Sequence, residues 1–163
     1  GRLSVEKGIL TLIKAVENTS NLLYIVGSGP CKEEIEQYLK EHNMTNVKLL
    51  GFKSGQELID VVGNARAVIL PSEWYENCPF SVMESQMFGT PVLGADIGGI
   101  PELIEEGKTG ELFESGNAGE LAEKIKYLWN NREKALQYSS NCKNVEFDTV
   151  AEYCDKLLKI YEG

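Results

Sequence analysis

Glu76 and Glu84, eight positions apart, stand in the stretch Pro71 to Glu84, which reads PSEWYENCPFSVME. The apolar run Ala67 to Leu70 reads as a buried strand that ends at Pro71. A polar loop with two aromatics follows, Ser72 to Cys78, and Pro79 then opens a helix. Proline suits a first helical turn because its missing N–H would have no partner there. Strand, loop and helix in this order leave the backbone amides of Phe80, Ser81 and Val82 at a helix N-terminus, a seat for phosphate. At 3.6 residues per turn Phe80, Met83, Glu84 and Met87 share one stripe, which sets Glu84 on an otherwise apolar face. A carboxylate there needs a hydrogen-bonding partner. A diol of a bound sugar supplies one.

Arg2 and Lys7 flank a helix start. Arginine offers a planar fork to phosphate oxygens and lysine a point charge. Together with the Phe80–Val82 amides they could neutralise a diphosphate without a metal; the alternative is a solvated surface pair. Gly27-Ser28-Gly29-Pro30 is a glycine turn after a strand, but it lacks the full dinucleotide fingerprint, so it reads as a sharp turn near a ligand. Glu76 and Glu84 could be the acid and base of a glycoside hydrolase, or could equally bind, since their spacing fixes no separation. The lone histidine, His42, lies near a helix end, away from the strand tips, and leaves a Ser-His-Asp triad without a member. Trp74 and Tyr75 could stack on a sugar or base, or simply pack.

The elements that must position these residues alternate. Ser4 caps a helix from about Val5 to Val16 with Ile9, Leu12, Ile13 and Val16 inward. Leu22 to Val26 is a short buried strand, and Pro30 starts a helix carrying Ile35, Tyr38 and Leu39 inward. Val47 to Leu50 is a strand, and Ser54-Gly55-Gln56-Glu57 is a capping box for a helix through Val62. After the central helix, Pro79 to Phe88, come a strand at Pro91 to Leu93 and a tight turn at Gly98–Glu102. A last strand spans Gly110 to Phe113, and helices follow from Asn117, Arg132 and Asp148. Strands alternating with amphipathic helices imply an α/β, Rossmann-like parallel sheet with helices on both faces. Ligands of such sheets bind outside the carboxyl ends of the strands. The turns Gly1–Lys7, Gly27–Pro30, Gly51–Lys53, Pro71–Cys78 and Ala95–Pro101 all lie there.

At 163 residues, 42% of them hydrophobic, the chain can bury one full core and reads as a single domain, residues 1–163. A formal charge of −9 argues against nucleic acid or anionic lipid as partners, so an anionic ligand must be held by a few local cations and helix ends. No apolar run approaches the roughly 20 residues a bilayer requires, and no secretory signal is visible. Four cysteines, at 31, 78, 142 and 154, show no metal-ligand spacing and read as reduced thiols of a cytoplasmic protein.

Taken in order, GRLSVEKG, IVGSGP, VKLLGF, ENCPFSVME between Glu76 and Glu84, GTPVLGADIGGIPELI and GKTGELF resemble the C-terminal donor-binding domain of retaining glycosyltransferases of family 4, one half of a GT-B fold. The resemblance implies that Arg2 and Lys7 hold the donor diphosphate and stabilise the charge that grows on it, where other folds use a metal. It implies that Glu84 accepts from the ribose hydroxyls and that Glu76 lies beside the transferred sugar, with the catalytic roles on Arg2, Lys7 and Glu76. The loop around Cys78 and Pro79 and the amides of Phe80, Ser81 and Val82 would lie near the sugar hydroxyls and diphosphate. Gly51, Phe52 and Lys53 would run along the base. No cofactor or metal is expected beyond a nucleotide-diphosphate sugar as donor substrate. Asn77 stands where the family often has glycine, and Ser85 where alanine is common. The family keeps its acceptor site and a catalytic histidine in an N-terminal domain, so the expected partners are a nucleotide sugar and that missing domain, with no direct membrane contact from this part. The fragment alone is expected to bind donor without turning over, in an enzyme of the cytoplasm or the cytoplasmic face of a membrane. A sugar-nucleotide epimerase on the same fold, or a non-catalytic interaction module, are the alternatives.

Overall fold

The computed structural model describes residues 1–162. Five strands alternate with helices along the chain. They are β1 (Leu23–Val26), β2 (Val47–Gly51), β3 (Val68–Leu70), β4 (Val92–Ala95) and β5 (Gly110–Phe113). The helices are α1 (Ile9–Ala15), α2 (Lys32–Glu41), α3 (Gly55–Gly63), α4 (Phe80–Met87), α5 (Ala118–Asn130), α6 (Arg132–Cys142) and α7 (Val150–Glu162), with 3-10 turns at Val5–Lys7 and Pro101–Leu103. Every strand pair is parallel, as the alternation requires.

The strands form two sheets rather than one. β1 pairs with β2, and β3 pairs with β4, which pairs with β5. Among the described residues β1 and β3 have no neighbouring strand on their outer sides. Between the sheets lies an open cleft of about 820 Å³, lined by apolar residues such as Leu23, Ile25, Ile69 and Leu93 and by polar ones that include Arg2, Lys7, Glu76 and Glu84. This opening explains why Val68, Ile69 and Leu70, expected to be buried, are only half-buried. β4, with a strand on each side, is buried along its whole length. The core gathers around it from Ile13, Ile100, Phe113, Leu121, Leu128 and Tyr138. The Tyr138 hydroxyl donates to the Glu111 carboxylate, and burial together with that carboxylate pushes its pKa well up.

Two helix starts differ from expectation. Gly8, at φ +60°, divides the first helix into the 3-10 turn Val5–Lys7 and α1. Ser4 donates its hydroxyl to Glu6 at 2.6 Å instead of capping the turn. Ser54 precedes α3 but makes no side-chain cap, and the Glu57 carboxylate pairs with Lys53 at 2.9 Å instead of completing the box. Asn117 does cap α5, accepting from the Glu120 amide at 3.0 Å. α7 leaves Val150, Tyr153, Ile160 and Tyr161 exposed on the surface. No helix among the described residues is long and apolar enough to cross a membrane.

Candidate functional site

The loop from Pro71 to Cys78 is clamped by backbone that only glycine can supply. A Cβ at Gly8 would overlap the Pro71 carbonyl oxygen, so glycine brings the 3-10 turn flush against the loop. The Glu73 amide then donates to the Glu6 carbonyl at 2.9 Å. On the other side the Gly99 amide donates to the Glu76 carbonyl at 2.7 Å, and a Cβ on Gly99 would overlap the Asn77 carbonyl. Ser115 donates its hydroxyl to the Ser72 carbonyl at 3.0 Å, from beyond β5. Gln86, buried in α4, donates to the Leu103 carbonyl at 2.7 Å and so fastens α4 to the same turn region.

This clamping brings Lys7 against Glu76 in an ion pair whose side chains are 29% and 22% exposed, enough to reach a ligand. Ser72, fully buried, donates its hydroxyl to the same Glu76 oxygen at 2.8 Å. Burial opposes the Glu76 charge, but hydrogen bonds from Lys7 and Ser72 and the Lys7 charge outweigh it and hold the carboxyl below its ordinary value. Arg2 and Glu84 are exposed and make no ion pair among the described residues. Arg2, Lys7, Glu76, Cys78, Pro79, Phe80, Ser81 and Glu84 all line the wide cavity between the sheets. Gly51, Phe52 and Lys53 stand apart from that lining, at the carboxyl end of β2. Phe52 is 74% exposed, Gly51 adopts φ +69°, and Lys53 pairs with Glu57.

Several sequence expectations need correction here. The stripe Phe80, Met83, Glu84, Met87 faces outward; the buried face of α4 is Val82, Ser85 and Gln86. Glu84 therefore sits in solvent and needs no protein partner, though it remains free to accept from a ligand. Of the three amides at the start of α4, that of Val82 already donates to the Pro79 carbonyl at 2.9 Å, which leaves those of Phe80 and Ser81. The turn Gly27–Pro30 serves the chain itself. A Cβ on Gly27 or Gly29 would overlap the backbone of Gly1 or Leu3, and Leu3 exchanges hydrogen bonds with Ser28 and Cys31 at 2.9 Å. That contact is what fixes Arg2 at the cavity mouth. Trp74 and Tyr75 are 68% and 76% exposed, so neither is a packing residue.

His42 caps α2, stacked on Tyr38 at 3.9 Å, and takes no part in the site. Among the described residues no group of three or more His, Cys, Asp or Glu is placed to hold a metal ion. Sequence reasoning missed Ser72 and Gly8. Gly8 was findable as the glycine that ends GRLSVEKG one turn into a helix; Ser72 carried no signal, since its role depends on a loop conformation.

Residues 1–145 match the family described as glycosyl transferases group 1. The sulfoquinovosyl transferase SQD2 of Arabidopsis thaliana is 35% identical over 138 residues, which cover 82% of this chain and 26% of that protein. O-antigen chain mannosyltransferase C of Escherichia coli is 25% identical over 165 residues, 99% of this chain and 44% of that protein. HepE of Anabaena, solved in complex with UDP, superposes with a TM-score of 0.88 at 26% identity, over the whole of this chain and 47% of its own. The chain thus spans about half the length of relatives such as the mannosyltransferase. Identity at this level leaves substrate open, but a family match across most of the chain and a superposition across all of it agree on ancestry. The chain belongs to the glycosyl transferases group 1 family.

Proposed function

We propose that this chain is the donor-binding half of a retaining glycosyltransferase, and that the whole protein passes a sugar from a nucleoside diphosphate to an acceptor hydroxyl in glycan, polysaccharide or glycoconjugate synthesis. The observation that carries the reading is that Arg2, the Lys7–Glu76 pair and the start of α4 at Phe80 and Ser81 all line one cleft. An overall charge of −9 would repel a diphosphate. Only a local gathering of donors such as this one offsets that field.

In this reading Arg2 and Lys7 take the diphosphate oxygens and stabilise the charge that accumulates as the glycosidic bond to the leaving phosphate breaks, so that the chain needs no metal. The fixed fork of arginine and the α4 amides act before the bond breaks and cost no rearrangement during it. Glu84, free on the outer face of α4, accepts from the ribose hydroxyls. Glu76, held beside them, accepts from the transferred sugar, and Cys78 and Pro79 shape the wall next to it. Gly51, Phe52 and Lys53 lie along the base. A second domain of the same polypeptide supplies the acceptor, at the open side of the cavity.

The experiment is calorimetric titration of the chain with UDP, GDP and ADP, each with and without Mg²⁺, beside Arg2→Ala and Glu84→Gln. One nucleotide is expected to bind without metal and to lose about tenfold or more in each variant, the worth of a charge-assisted hydrogen bond. Binding that requires Mg²⁺ overturns the metal-free reading. Binding that neither substitution changes overturns the site.

A further inference from the structure

We infer that Ser72 is a positioning residue for Glu76, the donor that holds its carboxylate in place when Lys7 turns to a bound diphosphate. The inference rests on the donor-site reading above and adds to it a residue that the sequence did not single out.

The argument begins with an asymmetry. Lys7 Nζ and Ser72 Oγ both donate to Oε1 of Glu76. No donor among the described residues reaches Oε2, so that oxygen is the one open to a ligand hydroxyl. The two donors differ in how firmly they are held. Lys7 is a long, half-exposed side chain on a 3-10 turn, free to swing. Ser72 is fully buried, with one short torsion, and its carbonyl is pinned by the Ser115 hydroxyl at 3.0 Å. The residue before it, Pro71, is packed against Gly8 so closely that no side chain would fit.

A diphosphate drawn to Lys7 competes with Glu76 for the ammonium group. Lysine carries three N–H donors and one charge. As phosphate takes a share of both, Glu76 keeps its burial and loses part of what offsets it. The charged groups that act on Glu76 are Lys7 and, with the opposite sign, Glu6 on the same turn; neither replaces the lost share. The Ser72 hydroxyl is then the donor that remains on Oε1. It keeps the carboxylate from swinging with Lys7 or taking up a proton, and it leaves Oε2 without a protein donor among the described residues. Without it, ligand binding at Lys7 and hydrogen-bond acceptance at Glu76 would oppose each other.

The test follows the carboxyl of Glu76 by carbon NMR in chain labelled at glutamate, with the resonance assigned by its absence in Glu76→Gln. Wild type and Ser72→Ala are titrated with acid, each alone, with saturating UDP and with inorganic pyrophosphate. In the wild type the anions are expected to raise the Glu76 midpoint slightly. In Ser72→Ala the midpoint rises by about one unit without ligand, the equivalent of one lost hydrogen bond, and further once the anion is bound. That larger rise with ligand is the signature of a donor that takes over from Lys7. Ser72→Cys, of similar shape but a weak donor, falls between the two and covers the case in which alanine at this buried position unfolds the chain. A midpoint unmoved by Ser72→Ala and Ser72→Cys overturns the inference, as does a rise of equal size with and without anion. Failure of UDP and pyrophosphate to bind the wild-type chain overturns the donor-site reading instead. The effect of Ser72 on the ligand-free midpoint would still be read separately.

Discussion

Glu76 ties the stability of this fold to pH. Burial works against its charge, yet Lys7 and Ser72 hold its folded-state pKa below the ordinary carboxylate value of 4.5. A depressed folded-state pKa means the ionised group stabilises the fold above 4.5, where the unfolded chain is also ionised. That stabilisation is lost as pH falls through the lowered value. Glu76→Gln is therefore expected to melt below wild type at neutral pH, by about 2–4 °C for a loss near 1 kcal/mol. The gap should close in acid below the wild-type midpoint. Thermal melts across that range check the sign; a gap that widens in acid would show that the Lys7–Glu76 pair contributes nothing to stability. The thiols give a second reading at this scale. Cys78 and Cys154 are exposed, whereas Cys142 is buried and its thiol is pushed up to about 11 by that burial. Alkylation followed by mass spectrometry should mark Cys78 and Cys154 first and Cys142 only on unfolding. Since Cys78 lines the cavity mouth, bound UDP should slow its labelling and leave Cys154 unchanged.

At the scale of elements, Gly8 decides whether the site is assembled. Its φ of +60° disfavours a side chain, and a Cβ would strike the Pro71 carbonyl. Gly8→Ala is expected to cost more than about 2 kcal/mol, a fall in melting temperature of roughly 4–8 °C. Because the turn and the loop must part to admit the methyl group, UDP affinity should fall alongside stability. A Gly8→Ala chain as stable as wild type would show that the turn and loop are not pressed together in solution. The same contact marks how far the sequence could be read. The alternation of short apolar runs with amphipathic segments was enough to place the five strands and most helices to within a few residues, because burial on a parallel sheet imposes those periods, though not the break at Gly8 or the division into two sheets. Glu76, Lys7 and Arg2 were legible as candidates because they stand in turns at the carboxyl ends of strands, where ligands of such sheets bind. What was not legible depends on tertiary neighbours. The Phe80–Met87 stripe looks inward by composition, yet α4 buries Val82, Ser85 and Gln86, with Gln86 donating to the Leu103 carbonyl. Ser4 and Ser54 read as caps, but Glu6 and Lys53 engage their surroundings instead. The close packing of the glycine turn after β1 against the backbone of Gly1 to Leu3 also depends on such neighbours.

For the whole molecule, packing is uneven: β4 is buried along its length, whereas β1 and β3 border the cleft between the sheets. β1 and β3 turn unpaired edges toward a cavity of about 820 Å³ whose walls include Leu23, Ile25, Ile69 and Leu93. Free strand edges are templates for pairing with further strands. The rest of the core is fully buried around β4, so the opening is a local feature of an otherwise well-packed domain. The chain is therefore expected to bind an apolar fluorescent dye such as anilinonaphthalene sulfonate while its near-ultraviolet circular dichroism and cooperative melting persist. That combination separates a native cavity from a molten state, in which the dye binds but near-ultraviolet dichroism is lost. Ile69→Lys, which places a charge on the β3 wall, should reduce dye fluorescence, and it should also lower any concentration-dependent association seen by sedimentation, since charged residues blunt free edges. UDP bound at the mouth alone should leave dye deep between the sheets in place, so displacement of dye by UDP would mean that the two share one space. A natively folded chain that binds no dye at all would mean that the apolar part of this lining is not open to a ligand in solution.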